Sequence, residues 1–346
     1  MLIYLSETLR KVRKLTHILN VGFIGCGGIA RFHLRHLSTL KEVKLVAFCD
    51  KIKEKAKELA EKYGGNVYTD YHEMFHKEKM DVVFICLPPF AHSDEVMVAA
   101  ENGVHIYIEK PIALDLKLAR EMQKAVEKAG IKSQVGYQLR FSYSVEKAKE
   151  LIDSGEAGNV GLACGHYWCR FIRKDWWIDK SKSGGQIVEQ STHLYDILRW
   201  LCGEIERVYC EGGRLFYKNV PRMTIEDTSS VVLRFKSGAI GSVTATIGAA
   251  KRHWWMRWWI VCSNLLLESL DFNELRIYRS NVEPVRVESI KEFREEPILL
   301  AEKDLIEAII YDRPTRTPIK EGVKTLEVTL AAVKSMETGE VVTLPL

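Results

Sequence analysis

Apolar residues in the first third of the chain occur in short continuous runs, separated by longer stretches with helical periodicity. The runs predict strands over Val21–Gly25, Val43–Cys49, Val82–Leu87, His105–Ile108 and Ser133–Tyr137. The stretches between them predict helices over Ile29–Leu40, Ile52–Tyr63, Ser93–Asn102 and Leu116–Ala129. These strands are apolar throughout instead of alternating, which is typical of a parallel sheet covered on both faces. Residues 20–139 are therefore predicted to form a doubly wound α/β domain.

Beyond Phe141 the pattern changes to longer apolar runs with fewer helical stretches. The predicted strands are Leu162–Phe171, Val208–Tyr217, Ser229–Phe235, Ala239–Ile247, Arg257–Leu270 and Glu274–Tyr278. The predicted helices are Gln190–Leu201 and Val323–Met336. Turn signals such as Lys236-Ser237-Gly238 favour antiparallel hairpins. Residues 140–346 are therefore predicted to form an α+β domain on a largely antiparallel sheet.

Composition and charge exclude several classes of protein. Residues 1–19 are basic but lack the apolar core and cleavage site of a signal peptide, so they are interpreted as an extension. The net charge of +4 is spread along the chain, which gives no support for nucleic-acid binding. No apolar run approaches the roughly 20 residues of a membrane span. Eight cysteines without a Cys-x-x-Cys pair favour buried reduced thiols in a cytoplasmic protein.

A glycine-rich turn follows the first predicted strand and opens the first predicted helix. Its spacing is G-x-G-x-x-A, in which the first glycine permits a tight turn and the second lets the backbone approach a pyrophosphate. The alanine allows close helix–strand contact, and the helix N-terminus favours the phosphate charge. This context favours dinucleotide binding over a structural glycine turn. The predicted cofactor contacts are Gly25, Gly27, Gly28, Ile29 and Ala30.

An acidic residue, Asp50, ends the second predicted strand, 20 residues after Ala30. A carboxylate at this distance can accept hydrogen bonds from both hydroxyls of the adenosine ribose. It would repel a 2′-phosphate, which favours NAD, whereas the adjacent Lys51 could tolerate NADP. The sequence therefore predicts NAD as the cofactor and leaves NADP open, with Asp50 and Lys51 as cofactor contacts.

A lysine lies just beyond another predicted strand, in the triplet Glu109-Lys110-Pro111. Ligands of open α/β sheets bind outside the carboxyl ends of the strands, so this position is suited to chemistry. Partial desolvation there would suit Lys110 to handling protons. From position alone, a solvated surface lysine is an equally good interpretation.

Two carboxylates flank a histidine after Gly184-Gly185. Glu189, His193 and Asp196 are spaced i, i+4 and i+7, which predicts that they share one helix face. Carboxylates one turn to each side would orient the imidazole and stabilise its protonated form, as suits a general base. A structural histidine and a zinc site are the alternatives, but a third zinc ligand is not obvious. No metal is predicted.

In this order, the glycine turn, the Glu-Lys-Pro triplet and the carboxylate-x-x-x-His-x-x-Asp segment resemble the Gfo/Idh/MocA oxidoreductases, relatives of glucose–fructose oxidoreductase and inositol dehydrogenase. The resemblance covers residues 20–346, including the junction segment Gly136-Tyr137-Gln138-Leu139-Arg140-Phe141 and the closing stretch Thr325–Leu344. It implies an N-terminal Rossmann domain with a doubly wound parallel sheet. It also implies a C-terminal α+β domain with an open, largely antiparallel sheet, and an active site between the domains.

The resemblance further implies roles for individual residues. Lys110 would lie near the reacting hydroxyl and the nicotinamide, and His193 would be the acid/base. Glu189 stands where the family commonly has Asp, and the extra methylene shifts its carboxylate, which leaves the proton route open. Leu87, Pro88, His92 and Glu109, with Lys110, are further expected cofactor contacts. The implied reaction transfers a hydride between NAD(P) and a secondary hydroxyl or carbonyl of a cyclitol, sugar or sugar derivative.

Aromatic clusters in the C-terminal half bear on the substrate and on assembly. Four of the eight tryptophans lie between His253 and Trp259, which favours an interface or core over sugar stacking. The family resemblance implies that the open face of the C-terminal sheet pairs subunits, so self-association through this sheet is expected. The segment 170–177 precedes the histidine segment and could shape a substrate pocket or form a solvated loop. The predicted substrate contacts are Lys110, Gln138, Arg173, Trp176, Glu189 and His193.

Two other functions are compatible with the same residues. Some relatives retain NAD and use a transient oxidation to cleave glycosides, so an NAD-retaining glycoside hydrolase is one alternative. A non-catalytic NAD-binding regulator is the other, but the presence of both Lys110 and His193 argues against it. The sequence therefore predicts a cytoplasmic, homo-oligomeric NAD(P)-dependent dehydrogenase of a small-molecule substrate.

Overall fold

The computed structural model describes residues 18–170, 176–251, 253–279 and 282–346, which form two compact units. Unit 1 comprises residues 18–109, 117–136 and 298–320. Unit 2 comprises the described residues of 110–116, 137–297 and 321–346. The predicted boundary at residue 139 assigns two short segments differently. Residues 110–116 belong to unit 2 although they precede this boundary, and residues 298–320 belong to unit 1 although they follow it. Periodicity reports local structure and not which core a segment joins, so it does not locate such segments.

Unit 1 is built on a parallel sheet with strand order β3-β2-β1-β4-β5-β6. Its strands are β1 (Leu19–Ile24), β2 (Val43–Cys49), β3 (Asn66–Tyr68), β4 (Val82–Ile85), β5 (His105–Ile108) and β6 (Ser133–Val135). Every residue of β4 is buried, as expected for a strand covered on both faces. This sheet confirms the predicted doubly wound Rossmann fold, although the three-residue β3 was too short for the apolar pattern to reveal.

Unit 2 is built on a second sheet with strand order β14-β13-β12-β11-β7-β10-β9-β8-β15. Its strands are β7 (Val160–Cys169), β8 (Ile205–Gly213), β9 (Thr228–Phe235), β10 (Ile240–Thr246), β11 (Trp254–Cys262), β12 (Leu265–Ser269), β13 (Glu274–Arg279), β14 (Arg286–Lys291) and β15 (Val342–Thr343). Among the described strands, β7 and β10 pair in parallel and the other neighbours pair antiparallel. The predicted largely antiparallel sheet is confirmed.

Eleven helices lie in the described ranges. They are α1 (Gly28–Leu37), α2 (Lys53–Tyr63), α3 (Tyr71–Lys77), α4 (Glu95–Glu101), α5 (Leu116–Ala129), α6 (Tyr143–Asp153), α7 (Lys180–Ser183), α8 (Gln186–Glu189), α9 (Thr192–Cys202), α10 (Pro297–Ile310) and α11 (Ile319–Thr338). Helices α1–α5 and α10 contribute mainly to unit 1, and α6–α9 and most of α11 to unit 2. No helix in these ranges is long and apolar enough to span a bilayer.

Two predicted elements of unit 2 are wrong in detail. The single strand predicted over Arg257–Leu270 is a hairpin, because Ser263-Asn264 turns the chain between β11 and β12. The helix predicted from Gln190 begins at Thr192 and is preceded by the separate short helix α8. Apolar periodicity continues through both breaks, so it does not show them.

The cysteines are packing groups of the two cores. All eight thiols are free, and all except Cys164 are buried. Burial raises the pKa of the Cys26 and Cys49 thiols to about 12. Thiols held in this protonated form are poor nucleophiles and metal ligands.

A buried network of four titratable side chains lies beneath the sheet of unit 1. The Nδ1 atom of His33 is 2.5 Å from Oε1 of Glu302, and its Nε2 atom is 3.0 Å from Oε1 of Glu109. His36 lies 3.2 Å from the other Glu302 oxygen. Burial opposes the charge on His33, but hydrogen bonds to the two carboxylates raise its pKa to about 9. A cationic imidazole therefore joins α1, α10 and the end of β5.

We predict that this charge makes the stability of the protein depend on pH above neutrality. Because the pKa of His33 is about 9 in the folded chain and 6.5 in the reference state, its contribution is complete below pH 6.5 and is lost as pH rises through 9. The expected loss is about 3 kcal/mol. Chemical denaturation from pH 6 to 10 should show this loss for the wild type. His33→Gln should be less stable at pH 6 and should lose less stability than the wild type across this range, because its remaining loss comes from thiols such as Cys26 and Cys49, which ionise more readily in the unfolded chain.

The exposed histidine His76 provides the matched control, since it lies at the surface of α3. His76→Gln should follow the wild-type curve. Equal pH dependence in His33→Gln and the wild type would contradict the assignment of the charge to His33.

Candidate active site

The glycine-rich turn joins β1 to α1 in a conformation that requires its first glycine. Gly25 has a φ of +87°, and a Cβ there would lie 2.5 Å from the carbonyl oxygen of Cys86. At Gly27 and Gly28 an added Cβ would meet no atom within 4 Å, so the backbone faces open space. Ala30 is buried, and α1 begins without a side-chain cap. Uncapped amides beside open backbone fit an anionic group such as a pyrophosphate.

Asp50 fastens the end of β2 to this turn. One carboxylate oxygen accepts the backbone N–H of Cys26 at 2.9 Å, and the other accepts that of Ile52 at 2.8 Å. A carboxylate oxygen has two acceptor directions, so each retains one for a further donor. Asp50 is half-buried, and the adjacent Lys51 is exposed. The turn and the predicted ribose contact therefore form one hydrogen-bonded unit.

The segment after β4 contributes a second buried polar pair. Leu87 and Pro88 are half-buried, and His92 is buried with Nδ1 2.6 Å from Oε1 of Glu95. Burial opposes ionisation of Glu95, but its hydrogen bond with His92 holds the pKa of the carboxyl below its usual value. Sequence reasoning missed Glu95, although it lies three residues after His92. Glu109 ends β5, with its carboxylate facing His33.

In unit 2, Lys110 and Glu189 form a close pair. The ammonium group of Lys110 donates to the backbone carbonyl of Glu189 at 2.7 Å and lies 3.4 Å from its Oε1 atom. The other carboxylate oxygen accepts the indole N–H of Trp177 at 2.6 Å. The Lys110 and Glu189 side chains are only 15% and 13% exposed. The structure thus brings two of the three predicted catalytic residues into direct contact.

The turn before Glu189 explains why the chain has two glycines there. Gly185 has a φ of +98°, and a Cβ on it would lie 2.5 Å from a carboxylate oxygen of Glu226. The Glu226 carboxylate accepts the backbone N–H of Ile187 at 2.7 Å. This contact holds the start of α8 and so sets the position of Glu189 at its end.

His193 lies in the first turn of α9 and is 7% exposed. Its Nδ1 atom is buried without a hydrogen-bond partner in the described structure. The ring of Tyr137 meets the imidazole edge to face at 6.0 Å, and its hydroxyl is 3.0 Å from Oγ1 of Thr192. Burial, and then the charge of Lys110, lower the pKa of His193 well below its ordinary value. The imidazole is therefore neutral at pH 7.

The predicted orientation of this imidazole by two flanking carboxylates is wrong. Glu189 lies on α8 and pairs with Lys110, so it does not share a helix face with His193. Asp196 instead accepts two hydrogen bonds from the guanidinium of Arg140, at 2.8 and 2.6 Å. Arg140 and Asp196 are both buried. The break between α8 and α9 separates Glu189 from His193, and Arg140 binds Asp196. Neither carboxylate therefore orients the imidazole.

Three predicted substrate contacts remain, namely Gln138, Trp176 and Arg173. Gln138 is half-buried in a 3₁₀ turn over Gln138–Phe141, and Trp176 is half-buried. Arg173 lies outside the described residues. The buried tryptophan that reaches Glu189 is Trp177 rather than Trp176. Its signal, a pair of adjacent tryptophans, was visible in the sequence, but the pair gives no means of choosing between them.

The described residues contain no group of three His, Cys, Asp or Glu side chains arranged to hold a metal ion. Among the described residues of unit 2, Lys110 provides a cation held by Glu189, and His193 provides a neutral buried imidazole. A cation can stabilise a developing oxyanion, and a neutral imidazole can accept a proton.

Comparison with known proteins identifies the family. Residues 19–137 match the oxidoreductase family with an NAD-binding Rossmann fold, and residues 145–268 match the Gfo/Idh/MocA C-terminal domain. The chain is 32% identical over 237 residues to scyllo-inositol 2-dehydrogenase (NAD(+)) of Bacillus subtilis (strain 168), covering 66% of this chain and 68% of that protein. It is 30% identical over 231 residues to myo-inositol 2-dehydrogenase of Thermotoga maritima, covering 65% and 67%.

A solved structure of levoglucosan dehydrogenase in complex with NADH matches the fold. The TM-score is 0.86 at 22% identity, covering 95% of this chain and 100% of that chain. The curated relatives are aligned over about two thirds of their length. Both sheets, the glycine turn and the two matched domains lead to one assignment. The chain belongs to the Gfo/Idh/MocA family of NAD-binding oxidoreductases.

Proposed function

We propose that the chain is an NAD-dependent dehydrogenase that oxidises a secondary hydroxyl of a cyclitol or sugar and reduces the matching carbonyl in reverse. The observation that carries the proposal is the neutral, buried imidazole of His193 in the field of the Lys110 ammonium group. Similarity to two inositol dehydrogenases supports the substrate class.

The turn of unit 1 has the features required to hold the cofactor. Backbone amides at Gly27 and Gly28 would bind the pyrophosphate, because open space lies beside them and α1 starts there. Asp50 would accept the ribose hydroxyls and repel a 2′-phosphate, which favours NAD over NADP. Leu87, Pro88 and His92 are further proposed contacts. When bound, NAD supplies the hydride acceptor.

We assign proton transfer in the proposed reaction to His193. As a neutral imidazole it accepts the proton of the substrate hydroxyl while the carbon–hydrogen bond gives up its hydride. In the reverse direction, the imidazolium returns this proton to the product oxygen. Because the pKa of His193 is low, its protonated form gives the proton up readily.

We assign stabilisation of the developing negative charge to Lys110. Its ammonium group provides a positive charge for the alkoxide that develops as the proton leaves. Glu189 holds this group through both its backbone carbonyl and its carboxylate. We therefore assign Glu189 to the placement of Lys110 rather than to the orientation of His193.

The test is steady-state kinetics on myo-inositol, scyllo-inositol, levoglucosan and methyl D-glucosides, with NAD and NADP compared. Lys110→Met and His193→Ala should each lower kcat/KM by roughly 10²–10⁴-fold, because each removes one group that acts in the transition state. NADH binding, followed by its fluorescence, should persist in both variants. NAD should be the better oxidant.

Lys147→Met and His76→Ala are matched controls, since His76 is exposed and the Lys147 side chain, which pairs with Glu150, is 37% exposed. Both should retain wild-type kinetics. Full activity in Lys110→Met and His193→Ala would refute the assigned roles. Hydrolysis of a glycoside by enzyme that retains its NAD would replace the dehydrogenase with an NAD-retaining hydrolase.

We further propose that unit 2 self-associates through one face of its sheet. On β7 and β11 the outward pairs are Trp168 with Trp255, His166 with Arg257, Cys164 with Trp259, and Leu162 with Val261. The residues between them, such as Trp258, are buried. Leu162, Trp168 and Val261 are each at least 37% exposed, and Val232 on β9 is 53% exposed. A face that combines exposed apolar side chains with a histidine and an arginine fits a protein interface.

Charge on this face should dissociate the assembly. Trp168→Glu and Val232→Glu are expected to shift the sedimentation coefficient from that of an oligomer to that of a 39.6 kDa monomer. Val285→Glu alters an equally exposed valine outside the face and should leave the sedimentation unchanged. A wild-type protein that sediments as a monomer at micromolar concentration would refute the interface.

A further inference from the structure

We infer that Trp177 is a positioning residue, which fixes the carboxylate of Glu189 and, through it, the ammonium group of Lys110. The inference rests on the proposed role of Lys110 and adds a residue to the unit 2 site.

The contacts form a chain of three side chains. The indole N–H of Trp177 donates to Oε2 of Glu189 at 2.6 Å. The other oxygen, Oε1, lies 3.4 Å from the ammonium group of Lys110, which also donates to the backbone carbonyl of Glu189 at 2.7 Å. Each carboxylate oxygen thus has a different partner, so tilting the carboxylate plane would lengthen both contacts. Trp177 therefore fixes the orientation of the carboxylate plane and the position of the oxygen that faces Lys110.

Burial strengthens the hydrogen bond between the indole of Trp177 and the carboxylate of Glu189. Trp177 is 1% exposed, and the Glu189 side chain is 13% exposed. A hydrogen bond to an ionised group is strong where water cannot replace the donor. By contrast, the pair Lys147–Glu150 lies at the surface, where water competes for both partners.

Local backbone structure gives Glu189 little support of its own. Helix α8 has only four residues, and Glu189 is the last of them. A glutamate side chain has several rotatable bonds, so a helix end alone does not fix its carboxylate. The side-chain hydrogen bond from Trp177 supplies this constraint.

The length of glutamate matches the distance to the indole. Shortening the side chain by one methylene withdraws the carboxylate by about 1.5 Å. The indole N–H would then be left about 4 Å from the nearest oxygen along the same direction, beyond hydrogen-bond range. Trp177 and Glu189 should therefore act as a unit, and Glu189→Asp should undo the same contact as Trp177→Phe.

The first test reads the hydrogen bond without any substrate. In a ¹⁵N spectrum of the tryptophan indoles, the Trp177 signal is assigned by its loss in Trp177→Phe. We expect it downfield with slow hydrogen exchange, moving upfield and exchanging faster in Glu189→Asp. Lys110→Met should also move it, because the effect passes through Glu189, whereas Lys147→Met should leave it in place. No response to Lys110→Met would overturn the inference.

The second test is a double-mutant cycle on the substrate with the highest kcat/KM. Trp177→Phe and Glu189→Asp should each lower kcat by roughly 10–100-fold with little change in KM, as expected for a lost hydrogen bond to a charged group. The double variant should be no worse than either single variant. If the two losses multiply, the residues act independently and the inference is wrong.

Two further variants separate positioning from packing. Trp258→Phe removes another buried tryptophan of unit 2 and should leave kcat unchanged. If Trp177→Phe does not fold, benzothienylalanine at the same position keeps the shape of the indole and removes only its N–H. Loss of kcat with this analogue supports the inference, and wild-type kcat overturns it. If Lys110→Met itself is fully active, the proposed function fails instead.

Discussion

The pairing of Lys110 with Glu189 places a positive charge near His193 and occupies a carboxylate that would otherwise be available to its imidazole. Because Glu189 is bound to Lys110, its carboxylate does not stabilise a proton on His193. Asp196 is bound to Arg140, so it does not do so either. The imidazole is left buried, near a cation, and without an anion of its own. Such a group is neutral at pH 7 and can accept a proton as soon as a hydroxyl is presented to it.

In unit 1, the partners of a buried histidine favour its charged form instead of its neutral form. One of the buried histidines of this unit, His33, lies between two carboxylates and carries a charge. This charge joins α1, whose first residues form the glycine turn, to Glu109 at the end of β5. Two buried histidines of one chain thus differ in ionisation because of the partners that the fold places around them. Burial alone would have left both neutral.

Much of the fold followed from local patterns. Continuous apolar runs identified most strands of the parallel sheet, and the spacing from the glycine turn to Asp50 identified a pair that the structure joins by a hydrogen bond. The break between α8 and α9 could not be predicted, because Glu189, His193 and Asp196 also fit an unbroken helix. The start of α8 is held by Glu226, which is 39 residues from the Ile187 amide that it binds, and periodicity does not report a contact between such distant residues. The choice between Trp176 and Trp177 likewise depends on tertiary packing.

The most direct test is an NMR titration that measures the pKa of His193 in the wild type and in Lys110→Met, with Lys147→Met as the control. The account predicts that His193 is neutral at pH 7, titrates below pH 6.5 in the wild type, and has a higher pKa once the Lys110 charge is removed. Lys147→Met should match the wild type. A protonated His193 at pH 7 that does not respond to Lys110→Met would mean that a carboxylate holds it, and would contradict the account.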